Sequence, residues 1–241
     1  MTIRIAMWSG PRNLSTAMMY AFAARGDCAV TDEPFYAAYL ATTGFDHPMR
    51  AEVLASQPRD PGAVRLTGAA PGGAALWYQK HMTQHMLPQM PLDWMDDCRH
   101  AFLIRHPVRV VASYVRKRES PDMAELGFAR QRALFERIAA RTGRVPPVVD
   151  SGDIRAAPEP MLRALCAALD IPFTERMLHW PAGPKAFDGV WAPVWYQSVH
   201  ASSGFDAAEG PLPVLSGDYA RLAEGAMADY TALSSHRLRG M

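Results

Sequence analysis

The chain has 241 residues, 49% hydrophobic and 20% charged, enough apolar matter for a sizeable core in one α/β domain. A net charge of +1 argues against a polycation built for nucleic acid or an anionic membrane, so any anion site must be local. The 3 cysteines are widely separated and form no C-x-x-C pair, which argues against a disulfide framework or a zinc knuckle.

The segment IRIAMW, residues 3–8, reads as a buried strand. It leaves through Gly10-Pro11-Arg12-Asn13 and enters a helix, 15–25, on Ser15 and Thr16. Backbone N–H groups at a helix start are unpaired, so hydroxyls and a cation placed beside them form a cradle for an anion. Ala29 to Thr31 reads as a second strand, running into the acidic turn Asp32-Glu33-Pro34. Residues 44–75, rich in proline and glycine, read as loops with one short helix. AALWYQKHM is a third strand that ends on Lys80 and His81.

HAFLIR is a fourth strand, stopped by Pro107, and VRVVASYVRKR continues as a helix with Val110, Val111 and Tyr114 at helical spacing. Residues 122–141 read as one amphipathic helix, with Leu134, Phe135 and Ile138 on one face. VPPVVD is a fifth strand, and Pro158 opens a helix whose apolar face includes Leu162, Leu165, Cys166 and Leu169. A short helix after Pro172, an aromatic loop region at 180–205 and a last helix at 216–234 complete the chain. The N-terminus has no cleavable apolar core behind a basic start, and no run approaches membrane-spanning length, so a soluble cytoplasmic protein is expected.

Strands alternating with helices imply right-handed βαβ units and a parallel sheet, whose ligands sit beyond the carboxyl ends of the strands. The opening turn, Glu33, Lys80 with His81, and Arg105 each follow a predicted strand end, so they converge on one edge. The opening turn is not the nucleotide triphosphatase loop, because Asn13-Leu14 stand where G-x-x-x-x-G-K-[ST] demands Gly-Lys. Arg12, Asn13, Ser15 and Thr16 can still hold a singly bridged phosphate or sulfate.

These segments resemble the sulfotransferases that use 3′-phosphoadenosine 5′-phosphosulfate (PAPS). GPRNLSTA, residues 10–17, is similar to the family's 5′-phosphosulfate loop, roughly P-[KR]-S-G-T-T/S. Pro11 and Arg12 fall on its proline and cation, Asn13 on its serine, and Ser15 and Thr16 on its hydroxyls; Leu14 departs from the usual glycine. IRHPVRVVASY resembles the 3′-phosphate element, with Arg105, Pro107 and Ser113 on its arginine, proline and serine. QKHMTQHMLP resembles the strand-end segment that carries a lysine and a catalytic histidine, with Lys80 in register and His81 one residue early. DEPF resembles the segment that supplies a glutamate base in some members, and GPKAFDGVWA, 183–192, is faintly similar to the C-terminal cofactor loop.

The resemblance implies one domain over 1–241, a P-loop NTPase-like three-layer α/β/α fold with a central parallel sheet. It implies PAPS as co-substrate, no metal, and transfer of a sulfuryl group to a hydroxyl or amine of a small molecule. Arg12 and Lys80 would then stabilise charge on the leaving phosphate oxygen, and Glu33 or His81 would take the acceptor proton. The loop Pro11, Arg12, Asn13, Leu14, Ser15 and Thr16 would hold the 5′-phosphate, and Arg105 with Ser113 the 3′-phosphate. No nucleic-acid or membrane partner is expected, and a homodimer is left open. Two other readings of the residues stay open: a small-molecule kinase or nucleotide hydrolase with a degenerate loop, and a non-catalytic nucleotide-binding protein of the same fold.

Three further features have both a structural and a functional reading. His81 and His85, four apart, would face together on a helix and could bind a metal, but no third ligand is evident. Met82, Met86, Met90 and Met95 suit adaptable packing or an apolar acceptor pocket. Trp180, Trp191, Trp195 and Tyr196 suit either a cover for a ligand or core packing.

Overall fold

A computed structural model describes residues 2–116 and 121–240. Five strands form one sheet: β1 (Ile3–Ser9), β2 (Cys28–Asp32), β3 (Leu76–Met82), β4 (Cys98–Ile104) and β5 (Val148–Asp150). Their order is β2-β3-β1-β4-β5, and every pairing is parallel. Helices cover both faces, which is why β1, β3 and β4 are buried almost from end to end rather than at alternate residues.

Strand periodicity divides the core into two layers. Ile5 and Met7 of β1 face one layer with Tyr78 of β3; the intervening Ala6 and Trp8 face the other with Trp77. The first layer holds α1 (Ser15–Ala24), α2 (Tyr36–Thr43) and α8 (Pro158–Ala168) against the sheet. The second holds α6 (Phe128–Thr142), through Leu134, Phe135 and Ile138. In between come α3 (Arg50–Ser56), α4 (Pro107–Tyr114), α5 (Met123–Leu126) and α7 (Ser151–Ala156). The C-terminal part adds the short α9 (Ala192–Trp195) and α10 (Gln197–His200), then α11 (Gly217–Gly225) and α12 (Met227–Ser234).

β1 lies between β3 and β4, so the chain runs from β1 outward to the β2 edge and back before it crosses to β4. The strand order reverses there, and the crevice at the carboxyl ends of β1, β3 and β4 is where such sheets take ligands.

Two predicted helices are each broken in two. The helix expected over 122–141 stops at Gly127, whose φ of 72° ends α5 before α6 begins. The sequence marks the break: Asp122 and Glu125 form a reciprocal capping box, so α5 is a single capped turn closed by a left-handed glycine. The last helix divides at Ala226 into α11 and α12. Helix α4 ends at Tyr114, and positions 117–118 of its predicted extent lie outside the described residues. Among the described residues no helix is long and apolar enough to cross a membrane.

Gly127 meets the turn after β3 with room for a side chain, since a Cβ there would lie at ordinary contact distance, 3.4 Å, from both Thr83 Oγ1 and Gln84 Cβ, so its left-handed φ is what calls for glycine. Left-handed backbone costs an L-residue about 1–2 kcal/mol. Gly127→Ala is therefore expected to lower the unfolding free energy by about that amount, read from the shift of a urea denaturation midpoint.

Candidate active site

The turn from β1 into α1 is held by backbone of an uncommon kind. Arg12 and Leu14 both have positive φ, 63° and 71°. Leu14 keeps the left-handed conformation expected of the glycine it replaces, and it is the N-cap of α1 with no side chain capping the helix. Such turns gather successive N–H groups into a concave anion-binding nest. Asn13 is buried, and its Nδ2 fixes the loop by donating to the Leu103 carbonyl at 3.2 Å.

The second segment closes on the first. Arg105 Nη1 donates to the Arg12 carbonyl at 2.8 Å, and Arg12 Nε donates to Ser113 Oγ at 3.0 Å. Two stretches about ninety residues apart in sequence thus interlock through one guanidinium each. Together they line a cavity of about 290 Å³ at the carboxyl ends of the strands, with Pro11, Leu14, Ser15 and Thr16 around its floor.

At the other end of this cavity stand Glu33 and Lys80. Lys80 is buried, and its ammonium donates to Glu33 Oε1 at 2.6 Å, Asp32 Oδ1 at 2.9 Å and the Tyr196 hydroxyl at 2.5 Å. An ammonium has three donors, so all are committed. Tyr196 in turn donates to Asp32 Oδ2 at 2.7 Å and accepts from Trp191 Nε1 at 2.9 Å, which pulls the aromatic segment onto the strand ends.

Burial raises the Glu33 pKa above the ordinary carboxylate value; Lys80 opposes the rise and Asp32 adds to it. Burial by itself would lower Lys80, but Asp32 and Glu33 outweigh it and leave its pKa raised. One cation between two carboxylates gives a cluster with one negative charge in excess. Glu33 also carries backbone strain: its φ is 40°, directly before Pro34, where extended backbone is the norm. A strained residue costs about 1–3 kcal/mol and persists only where its surroundings fix it. Gln57 supplies part of that fixing by donating to the Glu33 carbonyl at 3.1 Å.

His81 takes no part in the cavity. It sits one residue after Lys80 on β3, and strand alternation sends its ring into the opposite core layer. There it stacks between Trp8 and Trp94, with centroids 4.6 and 4.8 Å away. Burial, reinforced by His100, lowers its pKa to about 3. His85 reaches the cavity in its place: the chain turns after β3, and His85 packs between Tyr36 and Tyr39, 4.0 Å from Glu33 Oε2. The two histidines therefore do not share a helix face, because a strand end and a turn stand where the metal reading needs a helix.

Met82, Trp191, Trp195 and Tyr196 line the cavity, whereas Met86, Met90 and Met95 lie in the second core layer and Trp180 in the first. Lys185, the basic residue of the 183–192 segment, bonds to the carbonyls of Pro181 and Gly183 at 2.7 and 2.8 Å, clear of the cavity lining. Ser151, Arg155 and Tyr36 line the cavity without having been singled out by sequence. Ser151 follows β5 directly, so the same strand-end rule that found Glu33 and Arg105 could have found it, whereas Arg155 lies near the end of α7.

A family model described as a sulfotransferase domain matches residues 3–237. Branched-chain-amino-acid aminotransferase-like protein 1 of Arabidopsis thaliana is 38% identical over 233 residues, 96% of this chain but 42% of that protein. Branched-chain-amino-acid aminotransferase-like protein 2 of the same plant is 38% identical over 204 residues, 84% of this chain and 36% of that protein. The chain thus spans about two-fifths of the length of these curated relatives. Among solved structures, a sulfotransferase domain from the curacin biosynthetic pathway superposes with a TM-score of 0.51 at 16% identity, over 94% of this chain and 98% of that one. That likeness shows the fold: a P-loop-like α/β architecture around a parallel sheet.

Because Lys80 is the cation between two buried carboxylates, Lys80→Met should destabilise the protein by about 3–5 kcal/mol at neutral pH. Lowering the pH through the carboxylate range should narrow the deficit, since Glu33, already raised, takes up a proton and one of the two uncompensated charges disappears. Urea unfolding of both proteins at pH 7 and pH 5 checks the size and the sign.

Proposed function

The chain belongs to the sulfotransferase domain family, and we propose that it moves a sulfuryl group from PAPS to a hydroxyl or amine of a small molecule. One observation carries the reading: a single cavity joins the Arg12–Thr16 turn and Arg105 at one end to the Glu33 carboxylate at the other. Three residues that line it support the fit, since among the described residues Asn13 Oδ1, Arg105 Nε and Ser151 Oγ are buried with no hydrogen-bond partner. When bound, PAPS supplies the sulfuryl group and leaves as adenosine 3′,5′-bisphosphate.

In this reading Ser15, Thr16 and the uncapped amides of α1 hold the 5′-phosphate, with Arg12 neutralising it. Arg105 and Ser113 hold the 3′-phosphate. Glu33 takes the proton of the attacking hydroxyl or amine, and its raised pKa makes it a stronger base than an ordinary carboxylate. Lys80 has no donor to spare for the leaving oxygen, so its work falls on Glu33, fixing the carboxylate in position. Arg12 is then the cation left for charge on the leaving group. His81, in the opposite layer, has no role in proton transfer.

Donor identity is tested by titrating adenosine 3′,5′-bisphosphate and adenosine 5′-monophosphate into the native protein and Arg105→Ala. The native protein should prefer the bisphosphate by at least ~10-fold, from hydrogen bonds to a charged group. Arg105→Ala should lose most of that preference and keep its monophosphate affinity. Equal native affinity for the two nucleotides overturns the donor assignment.

Base identity is tested with PAPS, an acceptor library and detection of the bisphosphate product. Glu33→Gln should lower turnover by ~10²–10⁴ with donor affinity little changed, and His81→Phe should leave turnover within about threefold. The acid limb of kcat/KM should lie above the ordinary carboxylate range, because activity needs Glu33 ionised and its pKa is raised. A limb at or below that range, or full turnover in Glu33→Gln, removes Glu33 from the reaction.

A further inference from the structure

Beside Arg105, residues 206–216 form an exposed strap with few anchors. Val214 is 96% exposed and Leu212 47%, whereas the Glu209 side chain is only 7% exposed. Leu215 packs on the small core between α4 and α11. Among the described residues, the side chains that hydrogen-bond or ion-pair with 206–210 are arginines.

Three elements send a guanidinium to the Glu209 carboxylate. Arg105, after β4, donates to Oε1; Arg155 of α7 donates to Oε1 at 3.0 Å; Arg109 of α4 pairs with Oε2 at 2.8 Å. The same groups hold the backbone on either side. Arg155 Nε donates to the Ala207 carbonyl at 3.0 Å, and Arg109 Nη2 donates to the Gly210 carbonyl. A second cavity, about 220 Å³ and lined by Arg105, Arg109, Arg116, Arg155 and Glu209 itself, shares Arg105, Arg116 and Arg155 with the first.

One carboxylate is a poor match for this site. It brings a single negative charge to three contacting guanidiniums, with Asp206 adding only a looser pairing to Arg155 at 3.8 Å, and two oxygens to a larger set of donors. Arg105 Nε and Ser151 Oγ, both buried, have no hydrogen-bond partner, and both residues line the first cavity. A phosphate monoester brings up to two charges and three terminal oxygens, which suits such a surplus. The two anions cannot share the arginines, since like charges at contact distance repel strongly in a partly buried site.

We propose that Glu209 is a built-in carboxylate ligand of the arginines that receive the donor's 3′-phosphate, and that donor binding displaces it and frees the 206–216 strap. This rests on the donor reading above. Arg109 and Arg155 join Arg105 as phosphate-binding groups, and Glu209 weakens donor affinity by competing for all three. Release of the strap also couples the exposed Leu212 and Val214 to the state of the donor site.

Binding of adenosine 3′,5′-bisphosphate and adenosine 5′-monophosphate to the native protein and to Glu209→Gln tests it. The amide keeps the shape and removes the charge, so bisphosphate affinity should rise by ~10-fold while monophosphate affinity stays within about twofold. Hydrogen exchange on the native protein gives a readout free of any variant: saturating bisphosphate should speed exchange over 206–216, and monophosphate should not. A native preference for the bisphosphate together with unchanged or weaker binding in Glu209→Gln overturns this inference and leaves the donor reading standing. Slower exchange of the strap with bisphosphate bound overturns it as well. No preference for the bisphosphate in the native protein overturns the donor reading and this inference together.

Discussion

The Lys80 ammonium, buried among Asp32, Glu33 and Tyr196, is the contact on which the geometry of the cavity depends. It joins the carboxyl ends of neighbouring β2 and β3 to the aromatic segment around Trp191 and Tyr196. A charge removed from water costs several kcal/mol unless it is paired and fully hydrogen-bonded, so none of the four groups can move independently. That coupling explains how Glu33 keeps a positive φ before a proline. Lys80 fixes the carboxylate, and Gln57 with the β3 backbone fixes the peptide: the Glu33 N–H donates to the Lys80 carbonyl at 3.0 Å.

The same cluster places a limit on its own chemistry. An ammonium whose three donors are all taken cannot hold a fourth oxygen without releasing one. The charge count favours proton transfer at this end instead, because two carboxylates against one cation leave the second carboxylate easy to protonate. His85 completes the environment: burial holds it well below the ordinary histidine value, so it stands beside Glu33 as a neutral ring and adds no competing charge.

Sequence carried the strands and the polar stations at their ends, because a parallel sheet covered on both faces imposes runs of apolar residues that stop abruptly at the ligand edge. Pro11, Arg12, Glu33, Lys80 and Arg105 were legible for that reason, Ser113 only through the motif resemblance, and all six line one cavity. The failures have two physical sources. His81 was misplaced by a single residue of strand alternation, which the strand-end rule does not resolve, and the neighbouring histidine four residues on is the one that reaches the cavity. Helix breaks at Gly127 and Ala226 were lost because apolar periodicity runs across both. Glu209 was beyond reach for a different reason. Its meaning comes from three arginines that lie 54, 100 and 104 positions earlier, and nothing local to a Gly- and Pro-bounded loop announces them.

Both ends of the cavity hold charges that are already partly paired from within before any ligand arrives. At one end a lysine answers carboxylates; at the other a carboxylate answers arginines. This accounts for a strongly charged interior in a chain whose net charge is only +1. It also sets the terms of binding. Where charges are already paired, a ligand gains only the difference between its own contacts and those it replaces, so affinity is moderated and selectivity rests on geometry and charge number. A monophosphate that leaves Glu209 in place and a bisphosphate that displaces it are then separated by more than one extra contact. The second ligand must also release a loop, and the entropy that loop regains offsets part of the pairing lost. On the proposal made above, the strap and the donor are alternative occupants of the same arginines, and the order of the surface segment reports which of them is bound.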